Sequence, residues 1–169
     1  MIHIQGAMQQ FPKEIKILIL AFISVLSIGF YGGITFVRTT TNTNPKGIEE
    51  RYVGNEQDKN ATIMMFKKTK AEVLTMVHNH ILSLSVIFFL LGGILATTSI
   101  HKKLQLFLMI EPIVSIIFTF GGIYLLWTGI LWMKYIIMIS GFLMTSTFVI
   151  SVCIILKEVA KKPKQFFKS

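Results

Sequence analysis

The sequence predicts an all-α fold, a four-helix transmembrane bundle, and three observations carry that expectation. Of 169 residues, 53% are hydrophobic and 15% charged, and the mean hydropathy is +0.65, a balance beyond what a soluble domain of this length carries. The apolar residues fall into four runs, each near the roughly 20 residues needed to cross an apolar slab of about 30 Å. Lysines bracket these runs. The net charge of +9 does not point to nucleic acid, because the cations gather at the ends of apolar segments, where they anchor topology and touch anionic lipid. Membrane lipids and other membrane subunits are the expected partners. Cys153 stands alone in an apolar run, so it has no intrachain disulfide partner and reads as a small core hydrophobe.

Taken in order, the chain forms a single membrane domain, 1–169. The run at about 17–37 follows Lys13 and Lys16 and ends at Arg38 with no small-residue cleavage pattern, so it reads as a retained transmembrane helix. Ser24, Ser27, Tyr31 and Thr35 recur every three or four residues, a stripe suited to facing other helices. An outer loop spans 38–69. Within it, Pro45 near a helix start and Gly54 as a stop predict one short interfacial helix. The second crossing, about 70–100, opens on a capping box, Thr69-Lys70-Ala71-Glu72. At 1.5 Å per residue it is about 48 Å long, so it starts before the apolar slab does. The third crossing covers about 104–126, with Glu111-Pro112 two turns in, and the fourth about 135–156. A basic tail, 157–169, closes the chain.

Positive-inside counting sets the orientation. Nine of the seventeen basic residues lie in the N-terminal segment, the second connection and the tail, whereas the first connection holds seven basic residues offset by four acids. The expectation is an N-in/C-in protein with both termini in the cytoplasm.

Ionisable groups inside an apolar slab are costly, which makes His78, His80 and Glu111 the candidate site residues. Residues two apart on a helix point about 200° away from each other, so His78 and His80 do not converge on one metal by themselves. His78 shares its stripe with Thr75, Ser85, Gly92 and Ala96 and is the better inward-facing choice. The histidines lie near the outer face and Glu111 in the inner half, roughly 15 to 20 Å apart by helical rise. Glu111 is the candidate proton or ion group, and Ser115, Thr119 and Gly122 continue its stripe upward. Its structural alternative is a buried carboxyl hydrogen-bonded to a neighbouring hydroxyl or to a carbonyl freed by Pro112.

No histidine on the other crossings is placed to complete a bis-histidine haem. Haem with histidine and methionine ligation, or copper(I) held by imidazole and thioether, stays open at His78, His80 and Met138. The pairs Gly32-Gly33, Gly92-Gly93 and Gly121-Gly122 predict close helix packing. The sequence contains no nucleophile-base constellation, H-E-x-x-H pair, phosphate loop or C-x-x-C, so no enzymatic activity is expected.

Across Lys46-Gly47-Ile48-Glu49-Glu50-Arg51-Tyr52-Val53-Gly54-Asn55, Phe66-Lys67-Lys68-Thr69 and Val77-His78-Asn79-His80-Ile81-Leu82, the chain resembles small bacterial four-helix integral membrane proteins with a Tyr-x-Gly segment in the first outer loop and an H-x-H at the start of the second helix. That resemblance implies the bacterial inner membrane and brings no established activity with it. The expected role is a non-catalytic accessory subunit of a larger, respiratory or electron-transfer, membrane complex, with the His pair contacting a cofactor, quinone or partner. The competing expectation is a small proton-coupled transporter or channel that uses Glu111.

Overall fold

A computed structural model describes residues 5–161. Lys162, Lys164 and Lys168 of the expected tail lie outside the described residues. A short 3₁₀ turn, Ala7–Gln10, precedes six α-helices: α1 (Lys13–Thr41), α2 (Pro45–Val53), α3 (Lys70–Ala96), α4 (Lys102–Ile116), α5 (Gly122–Trp127) and α6 (Met133–Val159). A π turn, Ile117–Gly121, joins α4 to α5, so that Lys102–Trp127 forms one crossing. α1, α3, α4–α5 and α6 are each long and apolar enough to span a membrane, and no strand occurs among the described residues. The four-helix bundle and the short loop helix are as the sequence predicts.

Two boundaries move for identifiable reasons. The second crossing ends at Ala96 because hydroxyls take over its last carbonyls: Thr97 donates to Ile94 and Thr98 to Leu95, and the Gln105 amide donates to Leu95 and Ala96. The first crossing continues to Thr41, since Thr40 and Thr41 bond the carbonyls four residues back and the turn falls only at Asn42 and Thr43, both with positive φ. The capping box at the start of α3 is present, with Glu72 N–H donating to the Thr69 hydroxyl and Thr69 N–H donating to the Glu72 carboxylate at 2.8 Å.

The segment before α1, the turn between α3 and α4, and the end of α6 meet at one end of the bundle, here the clasp end. Gly6 and Met8 donate backbone N–H groups to Thr98 and Thr97, each at 3.1 Å, and the fully buried Met8 side chain plugs the space beneath. The Glu158 carboxylate, 2% exposed, accepts from Gln9 Nε2 (2.9 Å), Ser99 N (3.1 Å), Ser99 Oγ (2.6 Å) and Lys161 Nζ (2.7 Å). A buried carboxylate is tolerable only with such donors. The two stretches flanking the bundle therefore lie at the same end.

The opposite end carries α2 as a cap. Asn44 starts the helix by accepting Gly47 N–H at 2.6 Å, and Gly54, at φ +88°, stops it. Gly47 lies against the Thr41 carbonyl so closely that a Cβ there would come within 1.9 Å of the oxygen. Glu49 forms an ion pair with Lys134 at the start of α6, and the Trp127 indole donates to the Lys68 carbonyl at 2.7 Å. Asn55 ties the following loop by accepting from Met65 N and donating to the Ile63 carbonyl. In that loop Asp58 is held below the ordinary carboxylate range by the Asn60 N–H and by Lys46. The residues that carry the sequence resemblance in the first loop thus build a lid on the bundle.

Between these ends the core is apolar. Phe30 of α1 stacks on Phe148 of α6 with centroids 3.9 Å apart, and Phe88 of α3 meets both rings edge-on. α1 otherwise buries little, chiefly Ile19 and Ile23; of the predicted Ser24, Ser27, Tyr31 and Thr35 stripe all face outward except the half-buried Ser27, and its three hydroxyls at Ser24, Ser27 and Thr35 bond carbonyls of their own helix. Gly92 packs on Met109 and Gly122 on Ile137, whereas Gly32, Gly33, Gly93 and Gly121 face open space. Cys153 is exposed on α6 instead of buried in the core.

Gly47→Ala forces a Cβ into backbone and is expected to cost about 2 kcal/mol, seen as a lowered unfolding midpoint in detergent. Gly32→Ala meets nothing within 4 Å and is expected to leave that midpoint unchanged.

Candidate functional site

The polar content of the interior is concentrated where α4 and α6 run antiparallel. Along α4 and the π turn, Glu111, Ser115 and Thr119 follow one another at four-residue spacing, and Gly122 continues the line. The Ser115 hydroxyl donates to Glu111 Oε1, and Thr147 Oγ1 of α6 donates to Glu111 Oε2 at 2.7 Å. One step further, the Thr119 and Ser140 hydroxyls share a hydrogen bond of 2.7 Å. These residues are buried except Glu111, which is half-buried. The stripe read from the sequence exists, and the hydroxyl-bonded carboxyl foreseen as its structural alternative is the observed geometry. What the sequence reading missed is the facing stripe, Ser140, Met144, Thr147 and Ser151, whose spacing of four, three and four residues marks one helical face.

The π turn explains how this face reaches so far. Pro112 removes a backbone donor inside α4, and five residues later the helix widens. A π turn admits one extra residue, advancing the side-chain phase by about 100°. Adjacent residues can then be buried against different neighbours. Thr119 turns to Ser140 on α6, while Phe120 turns to α3 and stacks under the His80 ring, centroids 4.8 Å apart.

Chemically, the Thr147 hydroxyl has one proton and three acceptors in reach: Glu111 Oε2, the Leu143 carbonyl at 2.9 Å and the Met144 carbonyl at 3.0 Å. It can donate to a carboxylate, or donate to its own helix and accept from a carboxylic acid. The site therefore accommodates either protonation state without moving a heavy atom.

Glu111 also lies on the floor of an open groove of about 670 Å³ between α4 and α6, which faces away from the bundle and is walled by Phe107, Ile110, Val114, Phe118, Ile139 and Leu143. Lys103 stands at its clasp end.

The histidines occupy a different level. His80 Nδ1 lies 2.8 Å from the Met76 carbonyl, and its ring rests on Phe120, so His80, not His78, meets the neighbouring crossing. His78 and His80 are both exposed, as are Thr75, Asn79 and Ser83 on the same helix. Met138 is exposed on α6. No group of three or more His, Cys, Asp or Glu side chains able to hold a metal gathers among the described residues. Phe120 lies nine residues beyond Glu111, about 13 Å along the axis by helical rise, so carboxyl and imidazole remain separate, as their depths imply.

Fold and polar seam together define a multi-pass, all-helical integral membrane protein. The chain belongs to the Aq_1264_TM family, described as a transmembrane helical domain, which it matches over residues 42–166. That stretch takes in α2 to α6 and leaves out α1. No curated protein and no solved structure matches the chain.

Hydrogen bonds between membrane helices are worth about 0.6 kcal/mol on average and up to about 1.7. Thr147→Val and Ser140→Ala are each expected to lower stability by about 1 kcal/mol in reversible unfolding from mixed micelles, whereas Ser146→Ala, on the outward side of α6, is expected to leave it unchanged.

Proposed function

We propose that this protein is a non-catalytic accessory subunit of a larger bacterial inner-membrane assembly, respiratory or electron-transferring, with the clasp end in the cytoplasm. The observation that carries this reading is the exposed polar face of α3. Thr75, His78, Asn79 and Ser83 are uncovered on a helix that crosses the membrane. His78 lies about 12 Å from the helix start by rise, near the outer face of the apolar slab, where an exposed imidazole and amide are open to a polar partner. A second subunit, or a cofactor or quinone seated between subunits, supplies that partner. The orientation rests on the sequence count, nine of seventeen basic residues in the N-terminal segment, the second connection and the tail. The shallow burial of α1 adds a further free helix surface for assembly.

The test is purification in mild detergent. The wild type is expected to bring down a stoichiometric membrane partner that His78→Leu combined with Asn79→Leu loses, while the unfolding midpoint of the isolated chain stays constant. Identical co-purification by both proteins overturns the reading. A Soret band or bound copper that vanishes in His78→Ala assigns the cofactor contact to this face.

One observation favours a second reading. The Glu111 site, which accepts either protonation state and opens on a groove, suits a proton-coupled transporter or channel. Glu111→Gln is expected to abolish proton-dependent flux in proteoliposomes on that reading, and unchanged flux removes it.

A further inference from the structure

The groove over Glu111 is unused by the subunit reading, and its shape, floor and charge constrain its occupant. It extends along α4 from Lys103 to Phe118, about 22 Å by helical rise, which exceeds the roughly 15 Å of hydrocarbon in one leaflet. Its wall residues are themselves exposed, so the groove opens sideways into the bilayer. Water in such a trough would find few partners, whereas lipid chains are at hand.

The floor favours carbon over a polar head. Both Glu111 carboxyl oxygens are already engaged by Ser115 and Thr147, and the Ser140 hydroxyl is engaged by Thr119. Among the described residues lining the groove, the cation is Lys103, at the clasp end and at headgroup level. Lys103 occupies the first turn of α4 with Lys102 beside it, and no acid pairs with Lys103 among the described residues. A positive helix terminus adds to the field there.

The geometry points to a binding site for an anionic phospholipid of the clasp-end leaflet, with its phosphate at Lys103 and one acyl chain lying in the groove across Glu111 and Ser115. The chain shields the carboxyl from water and so isolates the α4–α6 seam. This site is independent of the subunit reading, since it occupies a different face from the histidines.

Native mass spectrometry of the full chain, titrated with phosphatidylglycerol or with phosphatidylcholine of the same acyl composition, tests the site. Phosphatidylglycerol is expected to be retained about fivefold better, and Lys103→Ala to remove that advantage, in keeping with the contribution of one lysine near a charged headgroup. Ile139→Trp, which fills the trough, is expected to reduce retention of both lipids. Lys59→Ala, at the opposite end, is expected to change neither. Equal retention of the two lipids by the wild type overturns the proposal, as does phosphatidylglycerol binding untouched by Lys103→Ala, a surface change that leaves folding intact. Displacement of the lipid by tetraphenylphosphonium in a Glu111-dependent manner also overturns it, by assigning the groove to lipophilic cations.

Discussion

The antiparallel pairing of α4 with α6 through their hydroxyl and carboxyl side chains is the constraint that orders the rest of the bundle. In hydrocarbon a polar side chain has no water to fall back on, so Glu111 must be held by Ser115 and Thr147, and Thr119 by Ser140. Sliding α6 by one turn breaks both cross-helix contacts at once. The resulting register brings Gly122 against Ile137 and leaves a trough on the outer side of the same pair. The individual bonds are modest, but the penalty for leaving them unmade makes the alternatives much worse.

The ends work by different means. At the clasp end one buried carboxylate collects donors from three separate parts of the chain, so Glu158 acts as a node joining the N-terminal segment, the α3–α4 turn and the last turn of α6. At the cap end backbone geometry dominates. Gly47 allows α2 to lie on the end of α1, and Gly54 turns the chain back toward α3. The two ends are thereby tied without a disulfide, and the polar loop contributes order more than apolar burial.

Much of this was legible in the sequence. Lysine-bracketed apolar runs give the number of crossings, and Thr69 to Glu72 gives the start of α3, because both signals are local. The Glu111 stripe follows from helical periodicity. Less accessible was which neighbour each face meets. His78 looked inward-facing by the company on its stripe, yet the ring that contacts the next crossing is that of His80, because a π turn swings Phe120 toward it. Helical phase after a π turn cannot be read from a spacing rule that assumes 3.6 residues per turn. The Ser140 and Thr147 stripe was legible in principle, but hydroxyls scattered in an apolar run bond their own helix as often as another, as Ser24 and Thr35 do. Glu158 gave no signal beyond its neighbouring lysine, since its other donors lie 59 and 149 positions away.

The family match begins at residue 42, immediately after α1. The matched stretch holds three of the four candidate crossings, and an odd number of passages sets its two boundaries at opposite ends of the bundle. Counting α1 makes the number even. α1, held mainly by a few aliphatic side chains and one stacked phenylalanine, begins at the end of the bundle where the α3–α4 turn and the Glu158 carboxylate lie, and the segment before it docks on both.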